Sequence, residues 1–223
     1  MENNSSSKPK LFLAPVIIML VLGILLFLPA GTLYYKAGWC LWFEFTLITF
    51  FITLYFSEKS PDLLTRRMKV KEKKETKKPP AIFNLCFLCY VVPGFDYRFH
   101  WSTMPVWIMI ISNILVVFGY LFIFLVFKEN SYASTIIQVE KEQQVISTGP
   151  YAVIRHPMYF GIILMILFTP FALGSFWALV PALLCIPLNV FRIRGEEEVL
   201  LKSLPGYEEY CHKIRYRLIP FIW

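Results

Sequence analysis

Residues 138–161 read QVEKEQQVISTGPYAVIRHPMYFG, and the reading of this stretch decides how the rest of the chain is understood. Polar, ring-bearing and turn-forming residues crowd together here, directly before an apolar run. Thr148, Gly149 and Pro150 form a turn signal. Arg155, His156 and Pro157 then put a cation and an imidazole at the mouth of that run. Pro157 has no backbone N–H and disfavours helix for the residue before it, so the spacing predicts a helix start at His156. Polar groups held beside a membrane segment are costly unless they bind something. The stretch therefore reads as a grip for a soluble ligand next to a bilayer.

Working outward, the chain has the composition of a membrane protein. Of its 223 residues 57% are hydrophobic and 17% aromatic, and the mean hydropathy is +0.57. Apolar runs occupy residues 11–29, 39–56 and 105–127, each long enough to cross a hydrocarbon core of about 30 Å. A shorter run at 81–95 is marginal for a crossing. Two further apolar segments, 158–168 and 171–191, are expected to meet at Thr169 and Pro170 as a tight hairpin. The first run lacks a cleavage signal and reads as a retained helix. The fold expected is an all-α integral membrane protein of about six transmembrane helices, with five as the alternative. It ends in a C-terminal helical hairpin and a cytoplasmic amphipathic tail. One membrane domain is expected, with N-terminal spans over 1–128 and the ligand-binding loop, hairpin and tail over 129–223.

Charge sets the expected topology. The net charge is +7 and the pI about 9.1, which in such a chain reads as orientation and contact with anionic lipid, not nucleic acid. Arg66, Arg67, Lys69, Lys71, Lys73, Lys74, Lys77 and Lys78 crowd the polar connection 57–80. That loop should be cytoplasmic. Two spans precede it, so the N-terminus belongs on the same side. If 81–95 crosses, the loop 128–151 and the C-terminal tail also face the cytoplasm. If it is re-entrant, that loop faces away, which argues for six crossings.

Few other residues suggest chemistry. The five cysteines are odd in number, and all but Cys211 lie in apolar runs, so no disulfide framework is expected. Cys86 and Cys89 have the spacing of a zinc half-site but lack a second pair, and no metal site is expected. Glu44, inside the second span, reads equally as a structural or a functional carboxylate. The second polar cluster is Arg192-Ile193-Arg194-Gly195-Glu196-Glu197-Glu198. On a continuous helix Arg192 and Glu196 fall at i,i+4, as do Arg194 and Glu198.

Taken together, G-x-Y-x-x-x-R-H-P-x-Y-x-G, a pair of spans and R-x-R-x-E-E-E resemble the isoprenylcysteine carboxyl methyltransferase family. The wider group includes phospholipid N-methyltransferases and membrane thiol S-methyltransferases. The resemblance runs over residues 130–223 and takes in the tail LPGYEEY at 204–210. It implies S-adenosylmethionine as methyl donor. By position it gives donor contacts to Gln138, Gln143, Gln144, Val145, Ile146, Tyr151, His156, Pro157, Met158, Tyr159 and Glu198. It implies Arg194 and Glu197 as catalytic residues, with Arg194 binding the substrate carboxylate. Gln143 departs from the histidine that family members often carry. The chemistry is consistent with these residue types. Glu198 could accept hydrogen bonds from the donor, and tyrosines could face a sulfonium by cation–π attraction. A carboxylate acceptor needs orientation by a cation, not a base.

The function expected is methyl transfer to a lipophilic acceptor, foremost a prenylcysteine-like carboxylate entering from the bilayer. Thiol or phospholipid-amine methylation is the alternative. A nicotinamide-dependent sterol reductase and a non-enzymatic membrane scaffold are the readings from other classes. The oligomeric state is left open.

Overall fold

A computed structural model describes residues 8–68, 81–140 and 142–223. The polar residues 1–7 and the lysine-rich run 69–80 lie outside the described residues, as does Lys141. The described residues form helices and no strand. In order these are α1 (Lys8–Ala30), α2 (Lys36–Lys59), α3 (Pro61–Met68), α4 (Ala81–Phe99), α5 (Val106–Glu129), α6 (Pro157–Ala172), α7 (Leu179–Ser203) and α8 (Tyr207–Lys213). A 3-10 turn, Gly149–Ala152, precedes α6.

Among the described residues, Leu11–Ala30, Lys36–Lys59 and Val106–Glu129 are long and apolar enough to cross a membrane. Pro157–Ala172 is a shorter apolar helix. The marginal run expected at 81–95 is one continuous helix of 19 residues. At 1.5 Å per residue it spans about 28 Å, close to a bilayer core. It packs along α1 and α7 and does not turn back on itself. The chain is an all-α integral membrane protein.

The hairpin expected at Thr169 and Pro170 is displaced. Helix α6 continues through both residues to Ala172, and the reversal occupies Leu173 to Ala178. Pro170 sits in the last helical turn, and Gly174 supplies the left-handed conformation, φ 77°, that stops the helix. The Pro170 carbonyl is still used, accepting from Ser175 N at 2.9 Å. A proline near a helix end thus marked the approach to the turn, and the glycine marks the turn.

The bundle is tied at the end of the molecule that holds this turn. Asp96, at the end of α4, is 2% exposed. Its carboxylate accepts from Ser102 N and Ser102 Oγ, both at 2.7 Å, and from Ser175 Oγ at 2.5 Å. Three donors satisfy a carboxylate that would otherwise be costly to bury. Beside it Tyr35 donates to the Leu173 carbonyl at 2.6 Å and stacks on Tyr97, ring centres 4.5 Å apart. The connections α1–α2, α4–α5 and α6–α7 are thereby joined.

Close helix contacts depend on two glycine positions. Helices α5 and α6 meet where Gly119 and Gly161 face each other, a small-residue contact of the kind membrane helices use. Helices α1 and α4 meet at Gly94, where a Cβ would lie 2.8 Å from the Leu26 carbonyl oxygen and 2.9 Å from Pro29 Cβ. Gly94→Ala should therefore force α1 and α4 apart and cost about 1–3 kcal/mol. Gly195, in α7, has nothing within 4 Å of an added Cβ. Gly195→Ala should be neutral or stabilising by up to about 1 kcal/mol. Thermal unfolding of the two variants in detergent should move in opposite directions.

Candidate functional site

The other end of the bundle carries a pocket, and residues 130–159 supply most of its wall. Helix α5 ends at Glu129, where Asn130 caps its last turn by donating to the Val126 carbonyl at 2.9 Å. The chain then runs as an open loop pinned at several points. Arg66 Nη1 donates to the Ser131 carbonyl at 2.8 Å, and Thr135 Oγ1 donates to the Arg67 carbonyl at 2.7 Å. Gln138 Nε2 donates to Glu140 Oε1 at 2.6 Å, while Glu140 N donates to Gln143 Oε1 at 2.9 Å. The expected Thr148-Gly149-Pro150 turn is present. Thr148 Oγ1 donates to the Glu129 carboxylate, and Gly149 takes φ 56°, with a Cβ there meeting Glu129 Cδ at 3.0 Å. Glycine is required both by the backbone and by the space.

Helix α6 begins at Pro157, with His156 as its non-helical N-cap residue, as the sequence predicts. The backbone of this entry is held by the C-terminal tail. Arg155 N donates to the Tyr216 carbonyl at 3.0 Å, and His156 N to the Arg217 carbonyl at 2.9 Å. The tail itself is closed into a loop, because the N–H groups of Arg217 and Leu218 both donate to the Trp223 backbone oxygen at 3.0 Å.

Helix α7 runs unbroken through the acidic cluster, so each residue there turns about 100° from the last. Three faces result. Arg192, Glu196, Val199 and Leu200 face the pocket. Ile193 and Glu197 are buried. Arg194 and Glu198 are exposed.

Tyr159 connects α6 to the pocket face of α7. Its hydroxyl donates to Glu196 Oε2 at 2.7 Å and accepts from Arg192 Nε at 2.9 Å. Arg192 Nη2 also donates to the Thr135 carbonyl at 2.6 Å. The opposite wall is aromatic. Tyr151 accepts from Asn130 Nδ2 at 2.9 Å, and Tyr210 donates to the Tyr151 carbonyl at 2.8 Å. Burial pushes the Tyr151 phenol up to about 12, so it stays neutral. Tyr207 also lines the pocket, and its buried hydroxyl has no hydrogen-bond partner.

Behind this wall Glu197 gathers three basic side chains. Its Oε1 lies 3.2 Å from Arg155 Nε and 3.3 Å from His156 Nε2, and its Oε2 accepts from Arg217 Nε at 2.6 Å. Burial by itself would raise this carboxyl. The His156 and Arg217 contacts, with the nearby Arg155 charge, outweigh that and hold it down to about 2.

The pocket brings together ten of the residues expected to hold a ligand: Gln138, Gln143, Gln144, Val145, Ile146, Tyr151, His156, Pro157, Met158 and Tyr159. It does not include Glu198, Arg194 or Glu197. Helical rotation is the reason: the pocket-facing carboxylate and cation of the cluster are Glu196 and Arg192. Sequence reasoning also missed Tyr207 and Tyr210. The signal available was their position at i,i+3 in the tail LPGYEEY, on one face of a short helix.

Glu197→Gln should cost about 3 kcal/mol, because it leaves the buried Arg155 guanidinium without a counter-charge. The sign of the pH dependence follows from the lowered carboxyl. The stabilisation is fully present above about 4.5, the ordinary value, and is lost as pH falls through about 2. Denaturation curves of wild type and variant should therefore converge over that acid range. A gap that persists at the acid end would assign the effect to packing.

Comparison with known proteins follows the same geography. No curated protein matches the chain. The family model for phospholipid methyltransferases matches residues 107–206, which include the loop, α6, α7 and all of α5 except its first residue. That family implies membrane methyltransferase activity. The matched segment and the motif pair at its centre make this part of the chain similar to the isoprenylcysteine carboxyl methyltransferase-like superfamily of membrane methyltransferases, in which the phospholipid methyltransferase family falls.

Proposed function

We propose that the protein transfers a methyl group from S-adenosylmethionine to a lipophilic acceptor, and that residues 130–159, α7 and α8 hold the donor. The observation that carries this is the lining of the pocket. It offers a carboxylate, amide side chains, backbone groups and five tyrosines within one concavity. The buried, unpartnered hydroxyl of Tyr207 leaves a donor and acceptor for a ligand to use. This set suits an amino acid joined to a nucleoside. Glu196 takes the part that the resemblance gave to Glu198, accepting from hydroxyl or amino groups. The tyrosine faces suit adenine and a sulfonium. When bound, the donor supplies an electrophilic methyl carbon, and the protein's contribution is proximity and alignment.

Arg192 and Glu197 act as positioning residues in this reading. Arg192 fixes the Tyr159 hydroxyl, and Glu197 fixes the loop that carries His156. We place the loop, both termini and the pocket on the cytoplasmic side, where a soluble donor is available. The acceptor enters from the bilayer. A prenylcysteine-like carboxylate is the first reading, since it needs no deprotonation at neutral pH. The phospholipid methyltransferase match favours a phospholipid amine as the second.

Calorimetry with S-adenosylhomocysteine should detect binding to the purified protein, and Glu196→Gln should weaken it about tenfold or more. Transfer of labelled methyl to a prenylcysteine should give a base-labile ester, whereas transfer to a phospholipid amine should give a base-stable product. Absence of both S-adenosylhomocysteine binding and methyl transfer would reject the proposal.

A further inference from the structure

The exposure of Arg194 leaves open which cation meets the acceptor, and helix α3, outside the matched family segment, supplies one. Leu63 is fully buried, and the Arg67 carbonyl accepts from Thr135 Oγ1, so α3 is fastened to the pocket loop. The two arginines of α3 then behave differently. Arg66 is engaged by the Ser131 carbonyl, by Glu140 at 4.0 Å and by the Tyr132 ring. Arg67 turns inward. Its Nη1 donates to Sδ of Met158 at 3.4 Å, and its guanidinium carbon lies 4.6 Å from the centre of the Phe127 ring. Met158 lines the pocket. Among the described residues no carboxylate pairs with Arg67.

This arrangement is unusual for an arginine. Guanidinium has five N–H donors, and a thioether is a weak acceptor for one of them. A cation among a sulfur and a ring, without a counter-ion, is costly to desolvate. Burial brings its pKa down to about 10, and it stays charged at neutral pH. Tyr159, Arg192 and Tyr151 are close enough to act on its charge, which sets it beside the part of the pocket that those residues line. On its other side lies the apolar cluster of Phe56, Leu63, Ile123 and Phe127. A planar cationic fork between a polar pocket and an apolar cluster matches an amphiphile whose head carries an oxyanion.

We propose that Arg67 is the specificity-determining cation of the acceptor site, holding a carboxylate or phosphodiester oxyanion on a lipophilic substrate beside Met158. This rests on the methyltransferase reading given above. A carboxylate held there is itself the methyl acceptor. A phosphodiester held there anchors a lipid whose amine is the acceptor.

The test is competition for the acceptor site by matched pairs of probes. One pair is N-acetyl-S-farnesylcysteine and its neutral carboxamide. The other is phosphatidylethanolamine and a diacyl ethanolamine lipid lacking the phosphate. Wild type should prefer the oxyanion-bearing member of one pair by about tenfold or more. Preference in the first pair identifies a carboxylate, and in the second a phosphodiester. Arg67→Met should reduce that preference to near unity while S-adenosylhomocysteine affinity stays within about threefold. Arg67→Lys should keep part of the preference, and Arg67→Gln repeats the measurement with a polar chain if the methionine variant does not fold. A preference that survives in the neutral variants overturns the proposal, as does a wild type that binds S-adenosylhomocysteine but prefers neither anion. A parallel loss of S-adenosylhomocysteine affinity in Arg67→Met and Arg67→Gln also overturns it. A wild type that neither binds S-adenosylhomocysteine nor transfers methyl overturns the methyltransferase reading, and this proposal with it.

Discussion

The buried carboxylate of Glu197 is the constraint on which the pocket end depends. It joins three segments far apart in sequence: the Arg155-His156 entry to α6, helix α7 and the tail through Arg217. Each contributes a group that could not be buried alone. Helix α6 needs its entry fixed because the residues leading into Pro157 lie outside the helix's own hydrogen-bond ladder. The tail meets part of that need through its carbonyls, and Glu197 meets the rest through charge. The motif R-H-P and Glu197 of α7 are therefore one structural unit. Glu197 lies behind the pocket wall, and the surface it sets in place, with Arg155, His156 and Pro157, is what a ligand would meet.

That division explains the rotation seen along the acidic cluster. A run of two arginines and three glutamates reads in sequence as one charged patch. On a helix it becomes three faces with different work. One face, Ile193 and Glu197, builds the interior. A second, Arg192 and Glu196, reaches Tyr159 and the pocket. The third, Arg194 and Glu198, meets solvent. Hydrogen bonding to charged groups is worth most where water is excluded. The first two faces therefore hold the energetically significant contacts.

Much of the fold was legible because membrane helices announce themselves by length and apolarity, as at Leu11–Ala30 and Val106–Glu129. The helix start at Pro157 and the turn at Gly149 were legible because proline and glycine restrict the backbone in known ways. The pocket loop was legible as a group, since Gln138, Gln143, Tyr151 and Met158 are close in sequence as well as in space. The hairpin position was not, because Pro170 can sit inside the last turn of a helix and Gly174 is the residue that ends it. The pocket-facing glutamate was not either. Choosing among three adjacent glutamates requires the phase of the helix, which depends on what Ile193 packs against. Arg67 lay beyond reach for another reason: its proximity to the pocket comes from long-range folding.

The Asp96 cluster gives the molecule a mechanical polarity. Two of its interhelical connections meet at one buried carboxylate, and a third is tied beside it through Tyr35. A sheaf bound at one end can splay only at the other. The helices therefore share a fixed pivot, and any sideways parting of α2 and α3 from α5 and α6 is widest where the pocket lies.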